Sequence, residues 1–158
     1  MNGPTIAVCG GQFCEEPFLG HAEEAGRAIG KAGATLICGG LTGVMEAACR
    51  GAAERGGTSI GVLPGSDPGS ANPWVTHAIA TGIGHARNLI IVNSADAVIA
   101  IDGEYGTLSE IAFAVKLGRP IVGVGTWSLI DPGGSPAPIH TAPSGKEAVA
   151  MALKLIEK

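Results

Sequence analysis

What most constrains this chain is a unit repeated along it: a short aliphatic run that ends in glycine and leads into a helical stretch. "TIAVCGG" at 5–11 and "ATLICGG" at 34–40 open the series. "TSIGVLPG", "NPWVTHAIA", "DAVIAIDG" and "RPIVGVGTW" continue it as strands three to six. Between the strands, "EEPFLGHAEEAGRAIGKAG" reads as a helix with Leu19, Ala22, Ala25, Ile29 and Ala32 on one face. "TGVMEAACRGAAERGG", "IGHARNLIIVNSA", "TLSEIAFAVKLG" and "SGKEAVAMALKLIEK" read as four more helices. Near-continuous aliphatic strands are what a sheet covered on both faces requires. The alternation therefore predicts an α/β chain: a Rossmann-like, doubly wound, mainly parallel sheet with helices on both faces. Right-handed crossovers put the strand-to-helix loops along one sheet edge, where open α/β sheets bind ligands.

A length of 158 residues suits one domain, and no composition shift marks a boundary, so a single domain over 1–158 is expected. "LPGSDPGSANP" and "DPGGSPAPIHTAP" read as surface loops rather than linkers. The chain is 46% hydrophobic but only 4% aromatic, with 26 glycines, so its core must use small and branched aliphatics in close backbone packing. A net charge of −4 opposes the basic field that nucleic acid demands, and no nucleic-acid partner is expected. No apolar run reaches 18 residues, so no membrane span is expected. The start "MNGPTIAVCGG" lacks the basic and long apolar regions of a signal peptide, which predicts a cytoplasmic location. Cys9, Cys14, Cys38 and Cys49 show no paired CxxC spacing, so neither a metal centre nor a disulfide framework is expected. Cys9 and Cys38 end apolar runs and read as buried thiols of a reducing compartment.

Three loops on the predicted binding edge carry glycine. They are Gly10 and Gly11 after strand one, Gly39, Gly40 and Gly43 after strand two, and Gly103 and Gly106 after strand five. A glycine turn that opens a helix exposes backbone N–H groups, and with the helix dipole these favour a phosphate. One such loop is equally well a steric strand-to-helix turn; three together predict a small phosphorylated ligand. None matches GxGxxG or GxxxxGK[ST]. Thr42 and Thr107 suit helix caps or phosphate donors alike. Glu46, early in helix two, complements the dipole. His77 and His85 flank Arg87, although a lone histidine is more often packed or solvated than catalytic.

These segments resemble a known family. "GEYGTLSE" resembles the GGxGTxxE loop of the LOG superfamily, often mislabelled "lysine decarboxylase". "CGGLTGVMEAACRGA" resembles its GGxxGxM segment, "IGVLPG" its next strand, and "GHARNLIIVNSADAVIAI" its Arg-bearing helix and following strand. The likeness runs in order from residue 6 to about residue 125, and looks closest to the molybdenum-cofactor-carrier-like branch, with kinship to DNA-processing proteins. It implies a Rossmann-type homo-oligomer, dimer or tetramer, whose ligand is the molybdenum cofactor or a nucleoside monophosphate. It also implies that Arg87 and Glu110 carry any chemistry, Arg87 gripping phosphate or ribose and Glu110 bonding ribose, stabilising an oxocarbenium-like state or activating water. From spacing alone, an Arg87–Glu110 salt bridge that staples the loops stands beside that reading.

Three positions depart from the family pattern. Asn88 stands where LOG enzymes have Lys, Glu104 replaces a glycine, and Asp102 replaces Pro or Gly. Glu104 is expected where relatives need a positive φ, and its side chain points either to solvent or inward, where it would bind ribose hydroxyls or a divalent ion. Two functions therefore remain open. One is a nucleotide- or phosphopterin-binding carrier; the other is a nucleoside 5′-monophosphate phosphoribohydrolase releasing free base and ribose 5-phosphate.

Overall fold

A computed structural model describes residues 3–158. The chain forms strand β1 (Thr5–Gly10), helix α1 (Phe18–Lys31), β2 (Thr35–Cys38), α2 (Val44–Ala53), β3 (Ser59–Leu63), β4 (His77–Ala80) and α3 (Arg87–Ser94). It continues through β5 (Ala97–Ile101), α4 (Tyr105–Leu117), β6 (Ile121–Val124), β7 (Ile139–Thr141) and α5 (Gly145–Ile156). The strands make one seven-stranded sheet in the order β4-β3-β2-β1-β5-β6-β7, and every pairing is parallel. The expected doubly wound architecture is therefore present.

Side-chain alternation along the strands feeds two cores. Ile6 and Val8 of β1 face the layer made by α1, α2 and α5, together with Leu36, Ile99 and Ile101. Ala7 and Cys9 face the opposite layer, where Ile91 and Val92 of α3 meet Ile111 and Ala114 of α4. The first layer is packed backbone to backbone. A Cβ on Gly26 would lie 2.0 Å from the Ala48 carbonyl oxygen, one on Gly51 2.1 Å from that of Glu23, and one on Gly145 1.8 Å from that of His21. No helix is long and apolar enough to cross a membrane among the described residues.

The sheet order also locates the crevice. β1 and β5 are neighbours, yet β1 leads to α1 on one face and β5 to α4 on the other. Their exit loops part at this point, and a ligand site opens where they do.

Four local expectations are revised. The second excursion contains a seventh strand, Ile139–Thr141, a short, mostly exposed edge element that carries no apolar signature. The fourth strand spans only His77–Ala80, because the Asn72 side chain ties the preceding turn to the Leu41 carbonyl and the Trp74 N–H. Helix α3 starts at Arg87 after a 3₁₀ turn at Gly84–Ala86. Ala32 closes α1 in the open rather than on its buried face.

Candidate functional site

The parted loops enclose a cavity of about 140 Å³. Gly10, Gly11, Gly39, Arg87, Gly106, Thr107 and Glu110 all line it, so seven of the ten residues singled out from the sequence converge. The other three lie outside its lining and act on the loops. A Cβ on Gly40 would strike Leu63 and Gly61. Gly43, at φ 67°, sits against the Gly11 and Gln12 carbonyls and lets loop two close on loop one. Gly103, at φ 133°, packs on Thr107. Thr42 donates to the Gln12 carbonyl oxygen at 3.2 Å, which makes it a loop tie.

The cavity wall at α4 is a helix N-terminus. Tyr105, Gly106 and Thr107 supply first-turn N–H groups that have no partner within the helix, and no side chain caps them. Across the cavity, Arg87 is 7% exposed. Its Nε donates to the Val62 carbonyl oxygen at 2.9 Å and its Nη1 to Asn88 Oδ1. Asn88 Nδ2 then donates to Ser109 Oγ at 3.0 Å, and Ser109 Oγ donates to the Gly106 carbonyl oxygen at 2.6 Å. This chain of bonds couples the guanidinium to the α4 terminus through the residue that replaces the LOG lysine. Close space at Gly39 admits the arginine: a Cβ there would lie 2.7 Å from Nη2.

Glu110 sits one turn deeper in α4 and is 7% exposed. The ion pairs among the described residues all lie on α1, α2 and the C-cap of α2, Glu54, so the Arg87–Glu110 staple is not formed. Burial pushes the Glu110 carboxyl up to about 7, against the pull of the Cys9 thiol beside it and of the Arg87 guanidinium. Burial first and then the Glu110 charge push the Cys9 thiol well above its ordinary value, so it is no nucleophile at neutral pH. A buried carboxyl raised toward neutrality and facing a cavity is suited to general acid or base work or to hydrogen bonding a polar ligand.

The strained backbone lies two residues before the expected position. Glu104 has φ −100°, while Asp102 takes φ 50° and Gly103 φ 133°. Asp102 is held there by its N–H to the Val124 carbonyl oxygen at 3.1 Å and by Thr126 Oγ1, which donates to its carbonyl at 2.6 Å. Glu104 stays exposed at the cavity rim. Its Oε1 accepts from the Phe13 N–H at 3.4 Å, and its backbone carbonyl accepts from Trp127 Nε1 at 3.3 Å. Trp127 thereby borders the site, with Tyr105 stacked at a ring-centroid distance of 5.6 Å.

His85, which carries little weight as a lone histidine in the sequence, lines the cavity, whereas His77 stands exposed on β4. Gln12, Leu41, Met45 and Pro64 line it too; of these, only Met45 falls on a motif position, the Met that closes GGxxGxM. For Gln12 the available signal is its place directly after the glycine pair. Leu41 and Pro64 are reached only through the fold. A larger cavity of about 590 Å³ adjoins beyond Gln12 and is lined by Glu46, Arg50 and Cys14. It lacks the α4 N-terminus, Arg87 and Glu110, so the groups able to act on a ligand stand around the smaller one. Among the described residues, no three His, Cys, Asp or Glu side chains are grouped to hold a metal ion.

The chain is similar to several known proteins. An uncharacterized protein of Archaeoglobus fulgidus is 44% identical over 121 residues, 77% of this chain and 80% of that one. A cytokinin riboside 5′-monophosphate phosphoribohydrolase of Mycobacterium tuberculosis is 32% identical over 137 residues, 80% of this chain and 73% of that one. Among solved structures, the molybdenum cofactor binding protein of Rippkaea orientalis superposes with a TM-score of 0.89 at 33% identity, covering 99% of both chains. The molybdenum cofactor carrier protein of Chlamydomonas reinhardtii gives 0.82 at 34%, again over 99% of both. DNA processing protein A of Streptococcus pneumoniae, at 21% identity and a TM-score of 0.71, shares the fold. The SLOG cluster4 family model matches residues 3–149, and the chain belongs to that family.

Proposed function

We propose that the protein binds a small phosphorylated ligand, a nucleotide or a phosphorylated pterin such as the molybdenum cofactor, and acts as its carrier. The observation that carries this reading is the convergence of the uncapped α4 N-terminus and the buried Arg87 on one cavity. N–H groups and a guanidinium together are a phosphate receptor. At about 140 Å³ the cavity is small beside the roughly 300–1,000 Å³ of ordinary ligand pockets, so it suits a phosphate and leaves the ring system nearer the mouth. The molybdenum cofactor binding and carrier proteins that match over 99% of both chains support a pterin cargo. A net charge of −4 supports a small ligand over nucleic acid. Leu89, Ile90, Val115 and Leu117, left exposed on α3 and α4, support a homo-oligomer.

A second reading, the phosphoribohydrolase, is favoured by one observation: Glu110 faces the cavity, buried and without an ion-pair partner, its carboxyl poised near neutral pH. One experiment separates the two. The purified protein is titrated with nucleoside 5′-monophosphates and with molybdenum cofactor while melting temperature and free base are followed. A carrier gains about 5–10 °C at roughly a hundredfold excess over Kd, since a ligand of the folded state alone must stabilise it, and releases no base. Base release abolished in Glu110→Ala replaces the carrier with the hydrolase. No shift with any ligand overturns both.

A further inference from the structure

Two carboxyls line the phosphate cavity, and one of them stands beneath the phosphate's own donors. Glu104 is exposed at the rim, where water weakens its field. Glu110 is more than nine-tenths buried and has no ion pair among the described residues. It follows Gly106 by four positions and Thr107 by three on α4, so the three share one helix face. Helical side chains lean toward the N-terminus, which carries the Glu110 carboxyl back toward the free first-turn N–H groups. The cavity, about 140 Å³, is small beside ordinary ligand pockets, so a phosphate on those N–H groups stands next to the carboxyl. The groups that face Glu110 from other elements do not remove the conflict. From β1, the Cys9 thiol stays protonated, and its one hydrogen serves one of the two carboxyl oxygens. From α3, Arg87 brings a cation already engaged by Val62 and Asn88. His85, in the turn before α3, lines the same cavity. An ionised Glu110 cancels Arg87 and leaves a phosphate dianion no net attraction. A neutral Glu110 leaves Arg87 uncancelled and turns the carboxyl into a donor.

We propose that Glu110 binds the ligand as the neutral acid and donates its hydrogen to a phosphate oxygen, so that each phosphate enters together with one proton. This rests on the reading that the cavity takes a phosphorylated ligand. The balance is a carboxylate, a phosphate dianion and one solvent proton on one side, and a complex holding one O–H···O bond on the other. No bond to carbon or phosphorus forms or breaks. Burial already pushes the carboxyl up to about 7, and the charge of a phosphate beside it pushes the same way. A phosphate monoester loses its second proton at about pH 6. Acid and dianion are therefore both present between about pH 6 and 7, and binding is tightest there. Above that range the proton must come from solvent, and affinity falls about tenfold for each further pH unit. Loss of the proton restores the repulsion and loosens the hold on the ligand.

The test is calorimetric titration of the full chain with ribose 5-phosphate and with adenosine and guanosine 5′-monophosphates. At about pH 8, buffers of unlike ionisation enthalpy are compared at matched ionic strength, and the difference in heat counts the protons taken up. The wild type is expected to take up about one proton per ligand and to bind about fiftyfold more weakly at about pH 9 than at about pH 7. Glu110→Gln is expected to take up none, to lose that pH dependence and to bind more tightly than the wild type at about pH 9, because an amide N–H donates at every pH. A merely structural glutamate would leave the proton count where it was. Binding by the wild type without proton uptake would overturn the shared proton and leave the phosphate reading intact, whether or not the variant folds. Uptake that persists in Glu110→Gln would overturn it too, as would uptake lost in His85→Gln instead, which assigns the proton to His85. No binding of any of the three ligands at any pH would overturn this inference and the ligand reading together.

Discussion

The two helical layers of this sheet are built to different rules. On the α1/α2/α5 side, glycine brings backbones into contact, and the layer, mostly alanines and aliphatics, reaches the site only through apolar residues such as Val8 and Met45. On the α3/α4 side the packing uses ordinary Ile and Val side chains, and the helix N-termini carry Arg87, Asn88, Thr107 and Glu110. The second layer also leaves Leu89, Ile90, Val115 and Leu117 exposed. One layer fixes the platform; the other spends its polar residues, some against their own stability, on a cavity. Substitutions in the two layers should therefore differ in sign as well as in size.

The largest effect is expected at Gly26. Alanine gains about 1 kcal/mol over glycine as a helix former. Here that gain is overwhelmed, because the new Cβ would stand 2.0 Å from the Ala48 carbonyl oxygen and α1 must move away from α2 by more than an ångström. Overpacking against backbone, which cannot swing aside, is expected to cost about 3 kcal/mol net. For a chain of this size that lowers the melting temperature by about 6–12 °C. Thermal unfolding checks it, and an unchanged Gly26→Ala would show that the helix pair is loose.

Glu110→Gln should move the other way. The carboxyl ionises near 4.5 in the unfolded chain and near 7 in the fold, because burial penalises its charge. Between those values the fold keeps a proton that the unfolded chain has lost. The group's favourable contribution is full below about pH 4.5 and is gone above about pH 7, a difference of about 3 kcal/mol. Glutamine cannot ionise. The variant should match the wild type near pH 4 and exceed it by about 2–3 kcal/mol near pH 8, read from denaturant unfolding at both values. A constant gap across that range would mean that Glu110 is not desolvated.

Much of this contrast is legible in the amino-acid sequence. Aliphatic runs ending in glycine mark the strands and their exit loops directly, because a parallel sheet covered on both faces leaves no other pattern. Arg87 and Glu110 follow from motif likeness. What stays hidden depends on three-dimensional direction. The rotation that sends Glu104 across to Phe13, and the positive φ at Asp102 instead of Glu104, are set by Thr126 and Val124 from the neighbouring strand and its exit. β7 is invisible because three residues beside prolines, two of them exposed, have no periodic signature. The many glycines suggest close backbone packing, yet nothing local separates Gly26, which touches a second helix, from a glycine in open space.

Gly65 makes that last distinction measurable. It follows β3 on the loop edge, is exposed, has no atom within 4 Å of a built Cβ and does not need a positive φ. Its carbonyl accepts the Gly82 N–H at 2.9 Å, a bond that alanine keeps. Gly65→Ala therefore changes only the freedom of the unfolded chain and is expected to stabilise by about 0.4–1 kcal/mol, roughly 1–4 °C in melting temperature. Paired with Gly26→Ala, the identical substitution should carry opposite signs at the two sites. If both lose stability alike, backbone contact between α1 and α2 is not what separates the layers, and the weight given to the glycine-packed face falls with it.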